Sequence, residues 1–275
     1  MFASTVVKAT EEPLRIASSG EELYGMLHHP WSAGRGAVLL CPADGEERAW
    51  CLRTYVEIAR ALAERGHWVL RFDYAGQGES AGAYEDASID SRVRDIASAL
   101  DVLRERSGDR KPAVVAARLG AALALEAAAR DSQVECLALL EPILDGAAYA
   151  RNLIRINLTM QMVMYEKVMR TGDQLQEDLA AGGRVSANGY NLTRVFLDGL
   201  EALKPAERLT QFQGRALVIA TAATRVPACA AEIKKPAFAP FWKEPKADMT
   251  PPKIVITETV DWIDRELSAK TSRIS

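Results

Sequence analysis

Residues 112–129 read P-A-V-V-A-A-R-L-G-A-A-L-A-L-E-A-A-A: a short apolar strand, a tight turn and an alanine-rich helix. In a G-x-S-x-G turn of this layout the middle residue sits on a strained strand-to-helix corner, and its serine oxygen attacks a carbonyl. The five positions here are Ala116, Ala117, Arg118, Leu119 and Gly120. A guanidinium stays protonated and has no acceptor, so Arg118 cannot be that nucleophile. Its chemistry is anion binding. It opens a helix, where unpaired N–H groups and the helix dipole favour negative charge, and its planar fork matches a carboxylate or phosphate. The competing reading is an internal ion pair with Asp44, Glu46, Glu47 or Glu141, because a partly buried arginine needs a partner either way.

Few other residues offer chemistry. Cys41 closes an apolar strand whose following loop would place its thiol near Arg118, and a neighbouring cation lowers a thiol's pKa. An atypical site of Cys41, Arg118 and the carboxylate of Glu46 follows, with Arg118, Leu119, Ala43, Asp44 and Trp242 around a substrate. A cysteine nucleophile still wants a base, and of the three histidines in the chain His28 and His29 would have to reach it from a hairpin. The alternative is that Cys41 packs and the histidines are strand-end surface residues. The four cysteines show no C-x-x-C spacing, so neither zinc nor a disulfide framework is expected. Gly76 and Gly78 precede no Gly-Lys-Ser/Thr and open no G-x-G-x-x-G helix, so no nucleotide cofactor is expected. Asp73 reads as structural, accepting local backbone hydrogen bonds.

The elements that position these residues alternate. A hairpin is predicted over 14–29 and strands over 37–41, 68–72, 134–140 and 216–221, besides the short strand that opens 112–129. Helices are predicted over 50–65, 89–106 and 253–267, besides the elbow helix that ends near residue 130, with 42–48 as a loop. Apolar strands alternating with amphipathic helices give an α/β fold: a mainly parallel sheet with helices on both faces. The pattern changes over 149–205, which is mostly helical, broken at 180–189 and rich in methionine. The core is therefore expected over 14–148 and 206–268, with 149–205 as a helical lid insert whose methionines pack it onto the body.

The chain has 275 residues, 48% hydrophobic and 26% charged, with a net charge of −3. That balance argues against a nucleic-acid partner. No apolar run reaches the roughly 18–20 residues that span a bilayer, and residues 1–10 do not read as a signal peptide. The expectation is a cytoplasmic protein with a small-molecule ligand, anionic or acyl-bearing, and a homodimer as an open option.

The segment R-F-D-Y-A-G-Q-G-E-S at 71–80, with the strand–turn–helix at 112–129, resembles the α/β-hydrolase fold. The strings A-R-L-G-A-A-L-A-L at 117–125, L-E-P-I-L-D-G at 140–146 and G-Y-N-L-T at 189–193 resemble a narrower group, the second hydrolase-like protein associated with exosortase A systems. The loop at 41–47 departs from that group's pattern. The resemblance spans residues 20–267 and implies an exopolysaccharide gene setting. It also implies three catalytic positions, in the order nucleophile, acid, histidine. Arg118 stands at the first and Ala223 at the second, and residues 205–275 contain no histidine for the third. Asp145, where some members keep an alternative acid, has no imidazole to orient. Ser-His-Asp chemistry is therefore expected to be absent. One reading is a non-hydrolytic binding protein; the other is a hydrolase, thioesterase or cyclase with the Cys41, Arg118 and Glu46 site.

Overall fold

The structure is a computed structural model and describes residues 10–30, 34–243 and 250–271. Residues 1–9, 31–33, 244–249 and 272–275 lie outside the described residues. The first described elements are a hairpin, β1 (Glu11–Ser18) and β2 (Glu21–His28). Next come β3 (Gly36–Cys41), α1 (Glu46–Glu64), β4 (His67–Phe72), a 3-10 turn (Tyr84–Asp86) and α2 (Ile89–Ser107). Then β5 (Ala113–Ala117), α3 (Leu119–Arg130) and β6 (Cys136–Leu140) complete the centre.

A long insert follows: α4 (Gly146–Tyr165), α5 (Gly172–Ala180), β7 (Val185–Ala187), β8 (Tyr190–Leu192), α6 (Arg194–Ala202) and α7 (Pro205–Gln211). The chain returns to the sheet with β9 (Arg215–Ile219) and β10 (Glu232–Lys234) and packs α8 (Lys253–Thr271) behind it.

The eight strands run β1-β2-β4-β3-β5-β6-β9-β10. β1 and β2 are antiparallel, β2 is antiparallel to β4, and the remaining pairs are parallel. Every residue of β3, β5 and β6 is buried, as parallel strands covered on both faces require. Period-two alternation divides them between two cores. Ala37, Leu39 and Cys41 face α2 and α3, whereas Val38 and Leu40 face α1 and α8. The strand order reverses between β3 and β5, and the crevice beyond their carboxyl ends is where open α/β sheets bind ligands. Arg118 and the loop after Cys41 both lie there.

The expected mainly parallel sheet with helices on both faces is what the chain forms. Three local expectations change. Helix α1 starts at Glu46, not near residue 50, so Glu46 and Glu47 occupy its first turn, where the helix dipole favours acids. The break at 180–189 runs into the β7–β8 hairpin at 185–192, turned by Asn188 and Gly189 at φ 48° and 86°, the Asn-Gly signature of a tight hairpin turn. The methionines do not all pack the insert onto the body: Met162, Met164 and Met169 are each about half exposed or more.

Candidate functional site

The corner between β5 and α3 keeps the strained backbone of a nucleophile elbow. Arg118 has φ 55° and ψ −126°, a region that L-residues other than glycine rarely enter. Backbone bonds hold it there: its N–H donates to the Leu140 carbonyl at 3.1 Å, and its own carbonyl accepts from the Ile143 N–H at 3.2 Å. Gly120 makes the corner possible, since a Cβ there would lie 2.1 Å from the Pro42 carbonyl oxygen.

The side chain on this corner is fully engaged. The Nε and Nη2 of Arg118 donate to Oε1 of Glu47 at 3.0 and 2.9 Å, and Nη1 donates to the Glu141 carbonyl at 3.2 Å. The Trp242 ring covers the guanidinium with its centroid 4.9 Å away, a cation–π contact. Trp242 lies between β10 and α8, the stretch from which the resemblance would draw a catalytic histidine. Glu47 also accepts from the Tyr149 hydroxyl at 3.2 Å. Burial raises its carboxyl above the ordinary carboxylate range, against the pull of Arg118. Of the two readings of Arg118, the internal pair is the one present: the chain itself supplies the anion at the corner.

Beyond Glu47 a groove opens between the start of α1 and the insert, with about 450 Å³ of empty space that includes its part open to solvent. Its polar lining includes Asp44, Glu46, Glu47, Asn152 and Asn188, and Tyr84, Tyr149 and Tyr190 add aromatic surface. Leu153, Ile156 and Leu192 form an apolar wall. Arg118 is not among the lining residues, so the groove presents carboxylates instead of the cation expected for an anionic ligand. Asp44 is itself occupied. It accepts from Gln77 Nε2 and the Tyr84 hydroxyl, both at 2.5 Å, and lies 3.1 Å from Nε of the fully buried Arg92. Glu46 accepts from the Asn188 amide.

The other expected site residues are placed as follows. Cys41 has no exposed surface, faces the α2–α3 core, and burial raises its thiol far above the ordinary range. The atypical cysteine site is corrected on that ground: a buried, protonated thiol is inert. Ala43 and Leu119 are likewise fully buried, so neither offers a side chain to the groove. His67 begins β4 and bonds Asp264 at 2.9 Å. His28 pairs in register with Val69, and His29 follows it, 2.7 Å from Glu12. All three lie at the opposite edge of the sheet from Arg118. His28 and His67 are also fully buried rather than surface residues.

Asp145 caps α4 through the Ala148 N–H at 2.8 Å. In the loop that holds Ala223, the Thr221 N–H donates to Glu141 at 2.6 Å, which ties that loop to β6. Asp73 is structural as expected, clamped by Arg48 at 2.8 and 2.7 Å. Sequence reading missed Asn188 and Tyr190 as groove residues, although the Asn-Gly pair at 188–189 was a usable hairpin signal. Tyr84 and Tyr149 carried no such signal.

No curated protein matches the chain significantly. Among solved structures the chain is similar to Est1E from Butyrivibrio proteoclasticus (13% identity, 93% of this chain and 99% of that one, TM-score 0.64). It is similar to DcsB, solved with its substrate analogue (14% identity, 94% and 99%, TM-score 0.62). It is also similar to the thioesterase domain from the curacin biosynthetic pathway (13% identity, 94% and 99%, TM-score 0.54). At such identities the likeness establishes the α/β-hydrolase fold and nothing about chemistry. The family described as serine aminopeptidase, S33, matches residues 34–185. More than half of the chain lies within that match, and the chain belongs to this family.

Proposed function

We propose that this chain is a non-hydrolytic binding protein that holds a small hydroxyl- or acyl-bearing molecule in the groove over its elbow. The observation that carries this reading is the closure of Arg118 on Glu47. It leaves the corner with no attacking atom and no free cation. Asp44, Glu46 and Glu47 line one side of the groove; each already accepts bonds from the chain, and their remaining lone pairs face a ligand. Acceptors of that kind favour ligand donors such as hydroxyls or an amine. The tyrosines suit the face of a sugar ring, and Leu153, Ile156 and Leu192 suit a short acyl group. An anionic ligand finds no unpaired cation along this lining. The motifs at 117–125, 140–146 and 189–193 support a place in an exopolysaccharide-like biosynthetic pathway in the cytoplasm.

The test combines reactivity with binding. A fluorophosphonate probe and p-nitrophenyl butyrate are expected to give neither labelling nor turnover, and a thiol probe should leave Cys41 unlabelled in the native protein. Glucosamine is expected to raise the melting temperature where glucuronate does not, and Glu46→Gln should weaken that effect. Stoichiometric fluorophosphonate labelling, or ester turnover lost on Cys41→Ala, overturns the proposal. Stabilisation by glucuronate that Arg118→Ala abolishes overturns the ligand class.

A further inference from the structure

Ten large apolar side chains stand exposed among the described residues, and six of them lie within residues 162–169: Met162, Val163, Met164, Tyr165, Val168 and Met169. Scattered exposed apolar residues need no explanation, but a concentrated patch does. This one forms the free tip of the insert, where α4 ends at Glu166 in the left-handed region and the chain turns back toward α5. The tip is pre-organised. The buried Gln161 side chain accepts from the Met169 and Arg170 N–H groups at 2.6 and 2.8 Å and donates to the Arg170 carbonyl at 3.1 Å.

The shape of the tip selects the partner. Residues 162–165 are consecutive on a helix of 3.6 residues per turn, so their side chains point to all sides of its end. A flat protein surface can cover only one side of such a knob, whereas a fluid lipid interface receives all of it. The charge agrees. Residues 147–171 carry four basic side chains and one acidic one; the acids of α5, Asp173, Glu177 and Asp178, follow on the neighbouring helix, where Asp178 pairs with Arg170. Arg151, Arg155, Thr159 and Val163 recur every four residues on one exposed face of α4. Arg151, Arg155 and Lys167 have no ion-pair partner among the described residues. Arg155 lies roughly 12 Å behind Val163 along the helix axis at 1.5 Å per residue. A tip sunk about 5–10 Å past the headgroups would therefore leave its guanidinium among lipid phosphates.

We infer that the Met162–Met169 tip docks this protein peripherally on an anionic lipid surface. The full chain would be sedimented with vesicles of phosphatidylcholine alone and of phosphatidylcholine mixed with phosphatidylglycerol. Binding is expected with the mixed vesicles only. Val163→Asp/Met164→Asp, at exposed positions and with an unchanged melting temperature, should lower the partition coefficient at least about tenfold. Arg155→Gln and Lys167→Gln should each lower it roughly fivefold, the equivalent of about 1 kcal/mol per charge. Three results overturn the inference: no binding to the mixed vesicles, equal binding by the aspartate variant, or a wild-type dimer that the aspartate variant converts to monomer. The last would assign the tip to contact between copies of the chain.

Discussion

Replacing Arg118 with alanine removes two donors from Glu47, one from the Glu141 carbonyl, and the stack on Trp242. The Arg118 and Glu47 side chains are 14% and 20% exposed. A solvent-exposed pair is worth about 0–1 kcal/mol, whereas stripping one partner from a buried pair costs about 3–5 kcal/mol. This pair lies nearer the buried limit, so Arg118→Ala should cost about 2–4 kcal/mol, mostly through the stranded Glu47 carboxylate. Alanine gains nothing at φ 55°, because its Cβ meets the same left-handed strain. At about 2–4 °C per kcal/mol for a chain of this size, the melting temperature should fall by roughly 4–16 °C.

The loss should also depend on pH. Burial already raises the Glu47 carboxyl from its ordinary 4.5, and without Arg118 it must rise further. The native variant then keeps a proton that the unfolded chain releases above 4.5, so its stability declines as pH rises through that window. The deficit of Arg118→Ala relative to wild type is therefore smaller at pH 5 than at pH 8. Glu47→Gln should cost less, about 1–2 kcal/mol. In a double-mutant cycle with Arg118→Ala it should show coupling of about 2 kcal/mol. Urea unfolding followed by circular dichroism measures all of this. A deficit below about 0.5 kcal/mol at pH 8, a pH-independent deficit or an additive cycle would refute the reasoning.

Three further substitutions test the scaffold. Burial, followed by the Arg71 charge, lowers the His28 imidazole from 6.5 to about 4, so the native state favours neutral His28. The associated stability is complete above pH 6.5 and is lost as pH falls toward 4, by up to about 3 kcal/mol. His28→Gln should flatten that acid limb in urea midpoints measured against pH. Gly120→Ala forces a Cβ to within 2.1 Å of the Pro42 oxygen and should cost about 3 kcal/mol by thermal unfolding. Gly108→Ala, at φ 77° with nothing within 4 Å, should cost only about 1 kcal/mol.

Much of the fold was legible along the chain because strands buried on both faces read as unbroken apolar runs. The runs in β3, β5 and β6 show this, and the spacing of Ala116, Arg118 and Gly120 marks the elbow. Residues 205–275 contain no histidine, a fact that needs no folding at all. The short β7, β8 and β10 were missed because three-residue strands carry no measurable period. The early start of α1 was missed because acids in a first helical turn look like a polar loop.

What the tertiary structure alone decided is the charge at the site. Four carboxylates were candidates for Arg118, and only the approach of α1 to the end of β5 selected Glu47, 71 residues away. On the other face of the sheet, packing against α2 and α3 buried Cys41, and Trp242, which follows β10, came to cover the guanidinium. Periodicity and the presence or absence of a functional group are properties of the chain itself. The pairing of charges depends on which loops meet at one sheet edge, which only the strand order and its reversal between β3 and β5 determine.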